Sequence, residues 1–204
     1  MFQDRREAGQ KLSEKLEEKY PRVENGLVLA LPRGGVVLGK IIAQKLNLPL
    51  DIIVTRKIGA PGNPEYAVAA VSDHEIIISP RENPNPEYLE QEASNQRREI
   101  RRREKIFRMS KPSLEIKNKT IFLVDDGLAT GLTMEVAIRE IRIKKPKAII
   151  LAVPVAPPET AKRLVSQVDE SLILAIEPNF FAVGQFYKYF PQISDQQVKN
   201  LMKD

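Results

Sequence analysis

The sequence predicts an α/β fold in which a mainly parallel central sheet is covered by helices on both faces. Short runs of aliphatic and β-branched residues recur along the chain, and helical patterns separate them. Runs without polar alternation are typical of strands that are buried on both faces, and the intervening helices supply the crossovers that parallel strands need. Turn and capping residues mark most of the boundaries between these elements.

Composition limits the class of protein. The chain has 204 residues, of which 42% are hydrophobic and 29% charged, so we expect one globular domain spanning residues 1–204. There is no cysteine, which excludes disulfides and thiolate chemistry. No apolar run is long enough for a membrane span or a signal peptide, and we therefore expect a cytoplasmic protein without membrane contact. The formal net charge of +5 suits a polyanionic partner.

The N-terminal half begins with an amphipathic helix. Residues 4–19 place Ala8, Leu12 and Leu16 on one helical face, and Pro21 ends the pattern. The elements expected next are a strand at 26–31, a helix at 36–46, a strand at 51–55, a Gly/Pro-rich loop at 58–64 and an antiparallel pair at 66–71 and 75–78.

The C-terminal half opens with a helix whose start is marked by Asn85 as N-cap and Pro86 at the first helical position. This helix is expected to run to about residue 109, and it carries an excess of arginine and lysine. Because acidic residues sit four positions before some of these arginines and no aromatics are interleaved, a solvated or subunit-facing surface is favoured over RNA binding. The elements expected after it are a strand at 119–124, a helix at 130–143, a strand at 148–153, a helix at 158–168 and a strand at 172–176.

The most informative stretch follows the apolar run at 121–124. Asp125 and Asp126 sit where that strand should end, and a loop with glycine and hydroxyl residues at 130–133 leads into the next helix. A helix N-terminus offers unpaired N–H groups and a positive dipole end to a phosphate, while adjacent carboxylates suit a vicinal diol or a hydrated magnesium ion. The order of these parts indicates a sugar-phosphate site. The alternative is that the two aspartates cap the helix or face water.

Two further stretches have the composition of anion sites. Leu31-Pro-Arg-Gly-Gly follows the first strand, and its glycines would expose successive N–H groups beside the charge of Arg33. Arg56 and Lys57 close the second strand before a Gly/Pro-rich loop. The alternatives are an ordinary strand-to-helix turn in the first case and a solvated strand end in the second.

The stretch from Val124 to Met134 resembles the 5-phosphoribosyl-1-diphosphate (PRPP) signature of type I phosphoribosyltransferases, especially the version in adenine phosphoribosyltransferases. The resemblance implies that Asp125 and Asp126 bind the ribose hydroxyls and that 129–133 wraps the 5-phosphate. It also implies Mg²⁺, carried by PRPP near Asp125 and Asp126. The PRPP-binding residues implied are Arg33, Gly34, Gly35, Arg56, Lys57, Asp125, Asp126, Gly127, Ala129, Thr130, Gly131, Leu132 and Thr133.

The 31–35 stretch resembles the pyrophosphate loop of the same enzymes, in which a non-proline cis peptide often turns two amides inward. We therefore predict a cis bond between Pro32 and Arg33. The resemblance implies that Lys57 neutralises the departing pyrophosphate and that Arg56 reaches substrate. The catalytic residues implied are Arg33, Lys57, Asp125 and Asp126.

Over its full length the chain is also similar to predicted phosphoribosyltransferases whose substrate is unassigned. The stretches that carry this similarity are 2–9, 31–35, 56–65, 125–133 and 181–187. In such folds terminal segments often build a small hood over the acceptor, here expected from about 1–20 and 177–204. Asp4, Arg5 and Phe181 are the hood candidates.

The acceptor is less well marked than the donor. Phe181 matches the aromatic residue that lies over the purine in hypoxanthine-type enzymes, although a phenylalanine at a strand end can also be core. Glu65 lies near the loop that would close the site. Departures from the hypoxanthine-type pattern are Ala129 in place of a loop aspartate, the absence of lysine from 149–157, and Lys188 in place of a metal-binding aspartate. They argue against a 6-oxopurine.

The expected function is transfer of the 5-phosphoribosyl group from PRPP to a nitrogenous base, with a purine-like base as the leading candidate, and release of pyrophosphate. Such an enzyme is a pentosyltransferase of nucleotide metabolism, and these folds usually pair as homodimers. The alternative is a non-catalytic PRPP or nucleotide sensor with the same fold. A third class, hydrolysis or phosphorolysis of a ribose phosphate, also stays open.

Overall fold

The computed structural model describes residues 1–203. In chain order its elements are α1 (Arg5–Lys19), β1 (Gly26–Ala30), α2 (Gly35–Leu46), β2 (Leu50–Ile52), β3 (Arg56–Ala60), β4 (Asn63–Val71), β5 (Ile76–Ile78), α3 (Pro86–Phe107), β6 (Thr120–Val124), α4 (Leu132–Ile143), β7 (Ala148–Ala156), α5 (Pro158–Val165), β8 (Glu170–Ile176) and α6 (Asp195–Leu201), with a 3-10 turn at Val183–Phe186 before α6.

The central sheet has five parallel strands in the order β2-β1-β6-β7-β8, with helices on both faces, as the sequence predicts. Side chains of β6 alternate between the two layers. Ile121 and Leu123 pack towards α4 and α5, whereas Phe122 and Val124 pack towards α1 and α2. Both faces of β6 are therefore buried, which explains why its sequence is an unbroken apolar run.

The strand order reverses between β1 and β6. From β1 the chain moves outward to β2, and it later returns to the other side of β1 as β6. In an open parallel sheet, such a reversal leaves a crevice at the carboxyl ends of the two strands, because their loops leave in opposite directions. The 31–35 and 125–131 loops follow those two strands, so the topology brings them to the same place.

The prediction of a loop throughout 58–64 is wrong. Residues 58–60 belong to β3 and 63–64 to β4, with only a turn at 61–62 between them; the two strands pair antiparallel and form a second, three-stranded sheet with β5. Glycine and proline suggest a loop, but here they accommodate irregular pairing: a Cβ at Gly59 would lie 2.5 Å from Pro64 Cα, and the register shifts on both sides of Gly59. The expected pairing of 66–71 with 75–78 is confirmed as β4 with β5.

Helix boundaries follow local chemistry. The Asn85 side chain accepts a hydrogen bond from the Tyr88 N–H, and Pro86 opens α3, so the predicted start is confirmed. The helix expected from 130 begins instead at Leu132, because Gly131 adopts a left-handed φ of 74°. Helix α6 and the 3-10 turn were not predicted, since neither has a long apolar repeat. No helix in the described chain is both long and apolar enough to span a membrane.

Candidate active site

The loops after β1 and β6 are in direct contact. The Leu31 N–H donates to the Val124 carbonyl at 2.9 Å, and the peptide bond between Pro32 and Arg33 is cis, as predicted. A Cβ on Gly34 would lie only 1.8 Å from Asp126 Oδ2, and one on Gly35 would lie 2.9 Å from the Cα of the other aspartate. The two glycines are therefore needed for the 32–35 loop to lie against the acidic pair, Asp125 and Asp126.

A second loop, 127–131, runs from the acidic pair to α4. The first helical hydrogen bond of α4 joins the Glu135 N–H to the Gly131 carbonyl at 2.9 Å. The amides of the first turn lie before this bond and have no acceptor within the helix, so they are available to an anion. Thr130 is exposed and Thr133 is half-buried at the same end of the helix. The sequence-predicted phosphate-binding residues thus lie together beside the acidic pair.

Helix α5 contacts the 127–131 loop and holds its backbone carbonyls in place. Thr160 Oγ1 donates to the Ala129 carbonyl at 2.8 Å, and Arg163 donates to the Thr130 carbonyl. Arg163 Nε also lies 3.1 Å from the buried Glu135 carboxylate, which fixes the guanidinium between helix and loop. Sequence reasoning missed this support because nothing near residues 160 and 163 resembles a known motif.

Asp125 carries an unfavourable charge. Burial raises the pKa of Asp125 well above its ordinary value, and repulsion from Asp126 raises it further. The Asp126 N–H donates to Asp125 Oδ1 at 2.8 Å, which offsets only part of this effect. A cation or hydroxyl donors from a ligand would stabilise the ionised carboxylate. Asp125 is therefore suited to a metal-bound or polyhydroxylated ligand.

The N-terminal and C-terminal segments lie together over the acidic pair. Phe2 pairs with Tyr187 as an isolated bridge, and their rings are 5.5 Å apart. The Tyr187 hydroxyl donates to the Asp126 carbonyl at 2.6 Å, and its pKa is raised by burial and then by the Asp126 charge. Arg5 Nε lies 2.7 Å from Asp126 Oδ2. Arg5 was expected in a hood, but its carboxylate partner was not foreseen.

The predicted cations have different environments. Arg33 Nη1 lies 3.5 Å from Asp195 at the start of α6. Arg56 Nε donates to Gln96 of α3 at 2.8 Å, and its pKa is lowered by burial and by the charge of Arg103. Arg56 is therefore a half-buried cation at the start of β3, beside α3. The prediction that Arg56 and Lys57 close the second strand is wrong: β2 ends at Ile52, and these two residues open β3 of the second sheet, where Lys57 is exposed.

The two predicted acceptor residues lie on separate segments. Phe181 is 91% exposed, and two residues later Val183 packs against Gly127 of the 127–131 loop. Gln185 accepts from the Phe181 N–H at 2.8 Å, which orders the turn. Glu65 is exposed on β4, and its neighbour Tyr66 lines a cavity of about 360 Å³ together with Thr130. Both predicted residues thus belong to segments that border the 127–131 loop.

The acidic pair fits Mg²⁺ as an ion shared with a ligand. Mg²⁺ is commonly held by one or two carboxylates together with phosphate oxygens and water. Within residues 1–203, no three acidic or histidine side chains converge on one point. An ion here would thus take its other ligands from substrate and water. The poorly compensated charge of Asp125 fits this arrangement.

Comparisons with known proteins identify related sequences and folds. Residues 2–189 match the model of the phosphoribosyl transferase domain. Rv0571c of Mycobacterium tuberculosis (strain ATCC 25618 / H37Rv), whose name provisionally calls it a phosphoribosyl transferase, is 34% identical over 203 residues; the match covers 97% of this chain and 45% of that protein. The chain thus spans less than half the length of this curated relative.

Among solved structures, TT1426 from Thermus thermophilus is 40% identical with a TM-score of 0.82, covering 98% of this chain and 97% of that one. A purine phosphoribosyltransferase from Pyrococcus horikoshii shares the fold, with 20% identity, a TM-score of 0.50, and coverage of 90% of this chain and 85% of that one. Since the family model matches most of the sequence, the chain belongs to the phosphoribosyl transferase domain family.

Proposed function

We propose that this protein transfers the 5-phosphoribosyl group of PRPP to a nitrogenous base and releases pyrophosphate. The observation that carries the proposal is the contact between the 32–35 loop and the acidic pair, beside the start of α4. One crevice thereby offers amides for a pyrophosphate, carboxylates for a ribose diol and helix-terminal amides for a 5-phosphate. These are the three parts of PRPP, in their order along the molecule.

In the proposed reaction, the bond between ribose C1 and the pyrophosphate oxygen breaks, and a bond from C1 to the acceptor nitrogen forms. The protein contributes mainly by positioning the two substrates and by stabilising the charge of the leaving group. Arg33 and Lys57 supply positive charge for that purpose, and Arg56 is the neighbour of Lys57 on β3. Bound Mg²⁺ would neutralise pyrophosphate oxygens. Because the Ala129 side chain carries no basic group, the proton of the attacking nitrogen passes to solvent in the proposed reaction.

We further propose that residues 1–204 form one domain, with a hood from about 1–20 and 177–204 on the acceptor side; of these residues, Asp204 lies outside the described part of the chain. The pairing of Phe2 with Tyr187 and the packing of Val183 on Gly127 support this arrangement. The exposed ring of Phe181 is then available to stack on a planar base. A base with an amino group, such as a 6-aminopurine, is the acceptor we propose first.

The test is pyrophosphate release from PRPP and Mg²⁺ across a panel of purine and pyrimidine bases, with PRPP binding measured separately by calorimetry. We expect binding that needs Mg²⁺ and turnover with at least one base, and both should disappear when EDTA removes the metal. Absence of PRPP binding would overturn the site. Tight PRPP binding without turnover of any base would overturn the transferase activity.

Replacing Phe181 with alanine should weaken binding of the acceptor base and leave binding of the donor, PRPP, unaffected. Loss of one stacking ring costs about 1–3 kcal/mol, so the KM for the base should rise by about 5- to 150-fold. Because the ring is exposed, the melting temperature should stay within about 1 °C, as expected of surface substitutions. Tyr189→Ala, which removes another exposed hood ring, is the matched control and should change neither value. An unchanged KM in Phe181→Ala would exclude stacking.

A further inference from the structure

The two carboxylates of the acidic pair have different partners. Arg5 Nε donates to Asp126 Oδ2 at 2.7 Å, and the Arg5 side chain is only 9% exposed. Arg5 Nη1 donates to the Pro191 carbonyl at 2.7 Å, and the guanidinium lies 3.6 Å from the centre of the Phe190 ring. One buried cation therefore joins α1, the C-terminal segment and the acidic pair.

Asp126 is enclosed by protein on several sides. Its Oδ2 faces Gly34 of the 32–35 loop so closely that no Cβ would fit there. Its carbonyl accepts from Tyr187 at 2.6 Å, and its N–H donates to the Asp125 carboxylate at 2.8 Å. The Oδ2 atom, the carbonyl and the amide of Asp126 are thus all engaged with other parts of the chain. Asp125, by contrast, receives no cation contact of this kind among the described ion pairs.

We propose that the two aspartates of the acidic pair have different roles. Asp125 binds the ribose diol and Mg²⁺ through its carboxylate, whereas Asp126, held by Arg5, fixes the 32–35 loop and both terminal segments in the binding geometry. Arg5 is then a positioning residue for the donor site. This inference rests on the proposed function, because it concerns how PRPP is bound.

The need for arginine at position 5 follows from its geometry. A guanidinium can donate to Asp126 and to the Pro191 carbonyl at the same time while its face lies on the Phe190 ring. A lysine would keep the charge but could not reproduce this planar set of contacts. Removing the side chain would leave the Asp126 carboxylate buried without its cation, free to turn towards Asp125 or Gly34.

The experiment measures PRPP binding in the presence of Mg²⁺ by calorimetry for the parent chain, Arg5→Ala and Arg6→Ala. Arg6 is the matched control, since it is the next residue of the same helix and is exposed. We expect at least a tenfold loss of affinity in Arg5→Ala, an intermediate loss in Arg5→Lys, and parental affinity in Arg6→Ala. Added guanidinium at non-denaturing concentration should restore part of the affinity of Arg5→Ala, which a general loss of stability would not allow.

A double-mutant cycle separates action through Asp126 from a direct contact with PRPP. If Arg5 acts through Asp126, then Arg5→Ala with Asp126→Asn should bind PRPP no more weakly than the weaker single variant. Additive losses would overturn the positioning role, and so would parental affinity in a folded Arg5→Ala. If the parent chain itself does not bind PRPP, the proposed function fails instead, so the two failures are distinguishable.

Discussion

Replacing Asp125 with asparagine should abolish detectable PRPP binding and, at neutral pH, raise the melting temperature of the ligand-free protein. The carboxylate is needed by the ligand, but its charge is unfavourable for the folded chain because burial and Asp126 raise its pKa. Asparagine removes the charge and keeps the shape. A gain on the order of 1 kcal/mol would raise the melting temperature of a chain of this size by about 2–4 °C.

The sign of this effect depends on pH. Above the ordinary aspartate pKa of about 4, the unfolded chain releases the Asp125 proton more readily than the folded chain does, so stability falls as pH rises towards the folded pKa. The advantage of Asp125→Asn should therefore be present at pH 7 and fade as the pH falls towards 4. Thermal unfolding of both proteins across this range measures it.

Asp169 provides a control with the opposite sign. Burial opposes its ionisation, but hydrogen bonds from the Ile149 N–H and Arg142 outweigh this effect and lower its pKa. Asp169→Asn should therefore lower the melting temperature at pH 7, and the difference should shrink as the pH falls through the lowered pKa. An Asp125→Asn variant that loses stability at pH 7 would contradict the electrostatic account. One that still binds PRPP would contradict the site.

Replacing Gly34 with alanine should lower PRPP affinity by at least about a hundredfold, because the new Cβ would displace the acidic pair or the 32–35 loop. The alanine Cβ would lie 1.8 Å from Asp126 Oδ2 and 2.5 Å from Asp126 Cγ, and Arg5 holds the Asp126 carboxylate in place. The backbone φ of Gly34 is −62°, which any residue can adopt, so the restriction is steric. Overpacking of this kind costs about 1–3 kcal/mol of stability.

Gly26→Ala is the matched control for this prediction. Gly26 opens β1, at the opposite end of that strand from the 32–35 loop, and a Cβ there would lie 2.7 Å from Val23 Cγ1 and 2.8 Å from Leu48 Cδ1. This restriction is also steric, so a loss of stability of about 1–3 kcal/mol is expected for it as well. Calorimetry with Mg²⁺ should then show a loss of PRPP affinity in Gly34→Ala and not in the control variant. Equal affinity in both would mean that the 32–35 loop and the acidic pair do not form one site.

Local signals in the sequence were sufficient for most of the fold. The apolar run at 121–124 predicts a strand buried on both faces, and Asn85 with Pro86 predicts the start of α3, because strand burial and helix capping depend on neighbouring residues. The pairing of β3 with β4 was missed because it joins residues whose glycines and prolines, considered locally, indicate a loop. Short α6 was missed because a seven-residue helix carries little periodicity.

The sequence by itself determined the parts of the donor site, since each part is a short stretch whose residue types carry the chemistry: glycines beside Arg33, two adjacent aspartates, and hydroxyls before a helix. Only the tertiary structure decided how those parts are connected. The ion pair between Arg5 and Asp126 spans 121 residues, and Tyr187 reaches the same aspartate from the other end of the chain. Contacts at such separations leave no local pattern, because they exist only once the sheet has placed the 32–35 and 127–131 loops at one edge and both termini have packed over them.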